Sequence, residues 1–202
     1  MKAILSVTCI LLCLLISRVA WSYDVLTHGD MSRAAFNESS IAKKPELLGS
    51  MGVINGQTFP NSKGEKLSMR ELIAFGSIQE DDRASIVQAA YPPLRHFYDP
   101  ITGLPLFVSG YEGQAVPSPD WATEDRATYD HLTVGQEFSF RDGRRYFYEA
   151  LTEKDKTKRE ERFGRTFQTL GHVIHHLQDM AQPQHVHNIH PILSSAKTRM
   201  AI

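Results

Sequence analysis

Apolar positions along most of this chain recur with helical spacing, and strand-like alternation is scarce. Residues 30–37 form a short amphipathic segment. Ser68-Met-Arg-Glu71 has the form of a capping box and opens an apolar-periodic run to about residue 78. Ser118-Pro119-Asp120 resembles a helix start, with proline tolerated in the first turn. Residues 146–151 belong to a further helix, and the longest predicted helix runs over 156–180. Prolines and glycines mark a long loop over 91–113 that contains His96-Phe-Tyr-Asp-Pro100. The pattern predicts one all-α domain whose helices hold any site and whose loops complete it.

The last predicted helix has two contrasting faces. At about 100° per residue, Phe163, Phe167, Leu170, Ile174 and Leu177 fall on one side, and His172, His175, His176 and Asp179 on the other. An ordinary surface helix would set Lys and Glu opposite its apolar stripe. Histidine and aspartate there predict a polar, partly buried pocket. The charge run 154–162 reads as a solvated helix face.

The N-terminus reads as a secretory signal over residues 1–22. Lys2 supplies a positive start, and the apolar run 4–16 has 13 residues, too short to span a bilayer. Ala20 and Ser22 suit a cleavage site that makes Tyr23 the mature N-terminus; cleavage after Ala20 is the alternative. The protein is therefore expected to be secreted or periplasmic. Both cysteines, Cys9 and Cys13, lie inside this segment, so the remainder must be held by its core, by metal, or by both. The net charge of −1 gives no basic field for binding long nucleic acid. Nothing predicts a stable protein partner, and a monomer is expected.

The candidate chemistry lies in LGHVIHHLQDMAQPQH, residues 170–185. His175 and Asp179 are one helical turn apart and reach the same point in space. Pro183 ends the helix and turns His185 back towards it. Imidazole and carboxylate without cysteine is a donor set suited to a hydrolytic metal site. His96 is a second candidate, although Asp99-Pro100 beside it is also a turn signal. The acidic run Glu80-Asp81-Asp82 is a third. His131, on a predicted helix far from these motifs, reads as an ordinary polar residue, and His172 and His176 as supporting or packing groups.

These motifs resemble the signature of the zinc-dependent phospholipase C and S1/P1 nuclease superfamily, and His96-Phe-Tyr-Asp-Pro100 is similar to its bacterial phospholipase C branch. The resemblance spans His28 to His185. It implies an exported, mostly helical hydrolase of phosphoric esters with up to three zinc ions. Asp81, His96, His175 and Asp179 would hold one. Tyr23, His28 and Asp179 would hold the second, Tyr23 acting through its N-terminal amine and carbonyl. His185 belongs to the third. Asp81 or Asp82 fits the acidic ligand; Asp81 is favoured and is also the expected catalytic group that orients or deprotonates water. The family's later His-x-x-x-carboxylate pair has no counterpart after His185, and the family's C-terminal helices are missing. Two fully liganded zinc positions are therefore expected, either in a truncated or frame-shifted member of the superfamily or in a lineage that has lost one metal. Three functional readings follow: a phospholipase C-like phosphodiesterase acting first on phospholipid, an incomplete metal-binding remnant, and a single-strand nuclease.

Overall fold

The computed structural model describes residues 25–54, 56–81, 94–107, 112–125, 127–129, 131–132 and 135–186. The expected signal segment 1–22, Tyr23 and Asp82 lie outside the described residues. In chain order the elements are α1 (Val25–Glu38), α2 (Ser40–Lys43), α3 (Glu46–Gly49), β1 (Thr58–Pro60), β2 (Lys66–Ser68), α4 (Met69–Asp81), α5 (Ser118–Thr123), α6 (Phe140–Thr152), α7 (Lys156–Asp179) and α8 (Pro183–Val186). The domain is mainly helical, as the periodicity predicts. Among the described residues no helix is long and apolar enough to cross a membrane.

Local sequence explains the helix ends. Ser139 caps α6 through a full capping box with Asp142. Asp155 caps α7 by accepting from the Lys158 amide at 2.9 Å. The box expected at Ser68 is only half formed. Its hydroxyl accepts from the Glu71 amide at 3.3 Å, while the Glu71 carboxylate turns to Arg33 and Arg70. Pro183 opens the short α8, where its missing N–H costs nothing.

One feature of the fold was not expected. β1 and β2 form an antiparallel hairpin with Phe59 opposite Leu67. Strands of three residues carry too little alternation to be read from sequence. Asn61 closes the turn by accepting from the amides of Lys63 and Glu65. Phe59 is fully buried and packs against Phe163 and Phe167. Val53, Leu72, Ile73 and Ala150 complete this core around the first half of α7.

The second half of α7 behaves differently. Phe163 and Phe167 are buried as predicted, but Leu170 and Leu177 face outward, Leu177 at 68% exposure. The buried side there is the polar one: His172, His175, His176, Gln178 and Asp179. His131 also departs from expectation, lying in an exposed turn rather than a helix.

α4 and α7 cross at glycines. A Cβ on Gly76 would lie 1.9 Å from the Gln168 carbonyl oxygen, and one on Gly171 would lie 2.0 Å from that of Ile73. Any side chain at either position must push the helices apart. We expect Gly76→Ala and Gly171→Ala each to lower stability by about 3 kcal/mol, read from urea denaturation. Gly49→Ala, which meets nothing within 4 Å, should change it by no more than about 1 kcal/mol. Equal stabilities across the three variants would refute the close crossing.

Candidate metal centre

Five segments deliver donors to one buried point. α1 supplies His28, the end of α4 supplies Glu80 and Asp81, and the loop after residue 94 supplies His96. α7 supplies His172, His175, His176 and Asp179, and α8 supplies His185. Around the Asp179 carboxylate, His175 Nε2 and His96 Nδ1 each lie 3.2 Å from Oδ2. His28 Nε2 lies 3.6 Å and His185 Nε2 3.9 Å from Oδ1. Asp81 closes the ring, 3.4 Å from His96 Nδ1, 3.7 Å from His175 Nε2 and 4.0 Å from His28 Nε2.

Three of these imidazoles are anchored by the nitrogen facing away from Asp179. His175 Nδ1 is 2.8 Å from the Ser77 carbonyl oxygen, and His185 Nδ1 is 3.0 Å from that of His96. A carbonyl only accepts, so both rings carry their proton on Nδ1 and present a lone pair at Nε2. His28 Nδ1 meets Gln178 Oε1 at 2.7 Å. Gln178 is itself fixed, its amide nitrogen donating to Ser32 Oγ and to the His28 carbonyl. This is the arrangement that orients histidine towards a metal.

The charges agree with the geometry at Asp179, His28 and His185, whereas His96 is held as the imidazolium and must lose a proton before it can donate a lone pair. Burial alone would raise the Asp179 pKa, but the charge of His96, joined by His175, holds it well below the usual carboxylate range. Burial pushes His28 down, helped by His175, and burial pushes His185 down too, which favours neutral rings with a lone pair to donate. Burial also opposes charge on His96, yet Asp179, Glu80 and Asp81 outweigh it and push it up to about 10.

Asp179 supplies the test of fit. Its side chain is 1% exposed, and neither oxygen has a hydrogen-bond partner among the described residues. A buried carboxylate in that state is costly unless something compensates it. A divalent cation among these donors would do so. His28, His175 and Asp179 could hold a metal ion, and so could Asp81, His96 and His175.

The structure therefore brings together six of the predicted ligands: His28, Asp81, His96, His175, Asp179 and His185. The seventh, Tyr23, lies outside the described residues, as does Asp82, the alternative to Asp81. His96 joins the cluster, and the turn signal beside it is realised as well: the Asp99 carboxylate accepts from the Ile101 amide and its backbone carbonyl from the Gly103 amide. Sequence reasoning missed a neighbouring cluster in which Glu80 meets His96, His172 and His176. The available signal was Gly76: Glu80 follows it by one helical turn and so points along the same face, at α7. Gln178, one turn beyond His175, was also missed.

Asp179→Asn is expected to cost at least about a hundred-fold in metal affinity, and Gln178→Leu about ten- to a hundred-fold. Titration with a chromophoric chelator reads both, with His131→Ala as the unaffected control. Equal metal content in all three variants would dismantle the assignment. No known protein family, curated protein or solved structure matches the chain.

Proposed function

We propose that this chain is an exported zinc-dependent phosphoesterase of the phospholipase C/S1-P1 nuclease type, cleaving a phosphodiester with phospholipid as first substrate. One observation carries the reading. Six residues predicted as ligands from dispersed motifs surround the buried Asp179 or are Asp179 itself, with the anchored imidazoles turned inward. The ligand positions follow the resemblance. Asp81, His96, His175 and Asp179 form one, while His28 and Asp179, joined by Tyr23 once residues 1–22 are removed, form another. His185 is the first ligand of a third.

When bound, zinc supplies Lewis acidity, lowering the pKa of water towards about 7 and offsetting charge on phosphoryl oxygens. The chain's own residues divide the remaining work. Asp179 is dry, and by the resemblance it would serve both of the first two zinc positions. Asp81 is the carboxylate that reaches solvent, its side chain 24% exposed against 1% for Asp179. Asp81 therefore stands where water enters and can accept its proton. His28, His175 and His185 keep fixed tautomers throughout, so no ring must reorient as charge develops.

Zinc-loaded protein is expected to hydrolyse bis(4-nitrophenyl) phosphate and phosphatidylcholine vesicles, and a chelator should abolish both activities. Asp81→Asn should lower kcat by about a hundred-fold or more. Cleavage of single-stranded DNA but not of the vesicles would move the protein to the nuclease branch. Loaded protein that turns over none of the three would reduce it to a metal-binding domain.

A further inference from the structure

We propose that Glu80 is the positioning residue of the metal centre: it fixes the tautomer of His96, so that His96 donates through Nδ1 while His28, His175 and His185 donate through Nε2. The inference rests on the metal-binding reading above and names a residue outside the ligand set.

His96 stands between carboxylates on both sides. Its Nδ1 lies 3.2 Å from Asp179 and 3.4 Å from Asp81, and its Nε2 faces Glu80 Oε1 at 3.8 Å. A neutral imidazole has one lone pair and one N–H. His96 Nδ1 also meets His175 Nε2 at 3.3 Å, and because His175 holds its own proton on Nδ1, His96 Nδ1 is the donor in that contact. For its lone pair to serve the Asp81–Asp179 side, that proton must leave and the remaining one sit on Nε2. That nitrogen is buried and has no hydrogen-bond partner among the described residues. A buried N–H left unmatched would oppose this tautomer, and Glu80 is the acceptor it faces. The gap is about 1 Å longer than a hydrogen bond, within reach of a small ring rotation. His175 and His185 need no such partner, because backbone carbonyls hold their Nδ1 protons. His96 alone among the four is fixed by a charged side chain.

Glu80 is built for this task. It is 2% exposed. Trp121 Nε1 donates to its Oε1 at 3.2 Å, and His172 Nδ1 bonds to its Oε2. His172 is stacked flat on Phe138. His176 Nε2 approaches Oε1 at 3.4 Å while Ser118 Oγ meets its Nδ1 at 3.0 Å. Every neighbour is thus itself tied to α5, α7 or the segment before α6, so the carboxylate cannot swing away from His96. Glu80, His96 and His176 could by distance hold an ion of their own. Two facts argue against that role. Both Glu80 oxygens are engaged by Trp121 and His172, and a second ion on Nε2 would require His96 to become a doubly ligated imidazolate.

The experiment uses full-length protein labelled with 15N-histidine and titrated with zinc alone. Long-range 1H–15N correlation should place the His96 proton on Nε2 and those of His28, His175 and His185 on Nδ1. Glu80→Gln should weaken zinc binding about ten- to a hundred-fold at unchanged stoichiometry and erase the slowly exchanging Nε2 proton, with partial recovery in Glu80→Asp. Trp121→Phe removes one anchor of the same oxygen but keeps the carboxylate, and should weaken zinc binding less than Glu80→Gln does; a larger loss than in Glu80→Gln overturns the proposal. His96 protonated on Nδ1, or unchanged affinity in Glu80→Gln, overturns the proposal. Loss of one whole zinc in Glu80→Gln also overturns it, by making Glu80 a ligand. Wild-type protein that binds no zinc overturns the metal reading itself, and this inference with it.

Discussion

The contact on which the rest of the structure depends is the crossing of α4 and α7 at Gly76 and Gly171. With a would-be Cβ within 2.0 Å of a facing carbonyl at both positions, the two backbones approach as closely as sterics permit. Ser77, next in α4, then sets its carbonyl against His175. One turn later Glu80 reaches His172 and His176, while Asp81 reaches His175 and His96. A helix pair separated by ordinary side chains would leave short Asp and Glu residues unable to span the gap to α7. The glycines thus do for the site what no ligand can do for itself: they bring the carboxylates of one helix within reach of the imidazoles of the other.

α7 joins two environments that obey opposite rules. Around its first half the core is apolar, with Phe59, Phe163 and Phe167 packed together, each worth on the order of 2–3 kcal/mol when fully buried. Around its second half the buried side is imidazole and carboxylate. Polar burial contributes nothing comparable and costs free energy wherever a group is left unmatched. The apolar half therefore holds the helix in place, and the polar half is carried by it. The hairpin belongs to the first half: Gln168 grips its turn through Ser62, which anchors α7 just ahead of the crossing.

Much of this was legible in the sequence, for identifiable reasons. The long helix was expected over 156–180 and runs Lys156–Asp179, because its helical period is sustained and Pro183 follows its end. The candidate ligands His175, Asp179 and His185 were legible because metal chemistry favours particular residue types at particular spacings, whereas His28 and Asp81 were implied by the family resemblance. What stayed hidden depended on contacts distant in sequence. Gln178 looked like one more polar helix residue until Ser32 and His28 of α1 were beside it. A helical wheel places Leu177 on the face of Phe163 and Phe167 but does not tell which face is covered there. Hydrophobicity does not decide burial at Leu170 and Leu177; the crossing with α4 does, and it covers the His and Asp face that the sequence marks as a polar, partly buried pocket.

That inversion bears on why the cluster exists. Local preferences and global packing normally agree, and they part where a residue serves something other than stability. Replacing buried ionic groups with well-packed apolar ones of similar size is often neutral or stabilising, so stability alone gives no reason to bury Asp179, Glu80 and their histidines in the place of a simple apolar seam. The anchoring contacts make the same point. Ser77, Gln178 and the His96 carbonyl hold their imidazoles by the outer nitrogen, which leaves the inner nitrogens aimed at a carboxylate whose own oxygens lack hydrogen bonds among the described residues. A network built only for stability would turn those groups to satisfy one another. This one holds several lone pairs towards a common centre, which is the preorganisation that binding a cation requires.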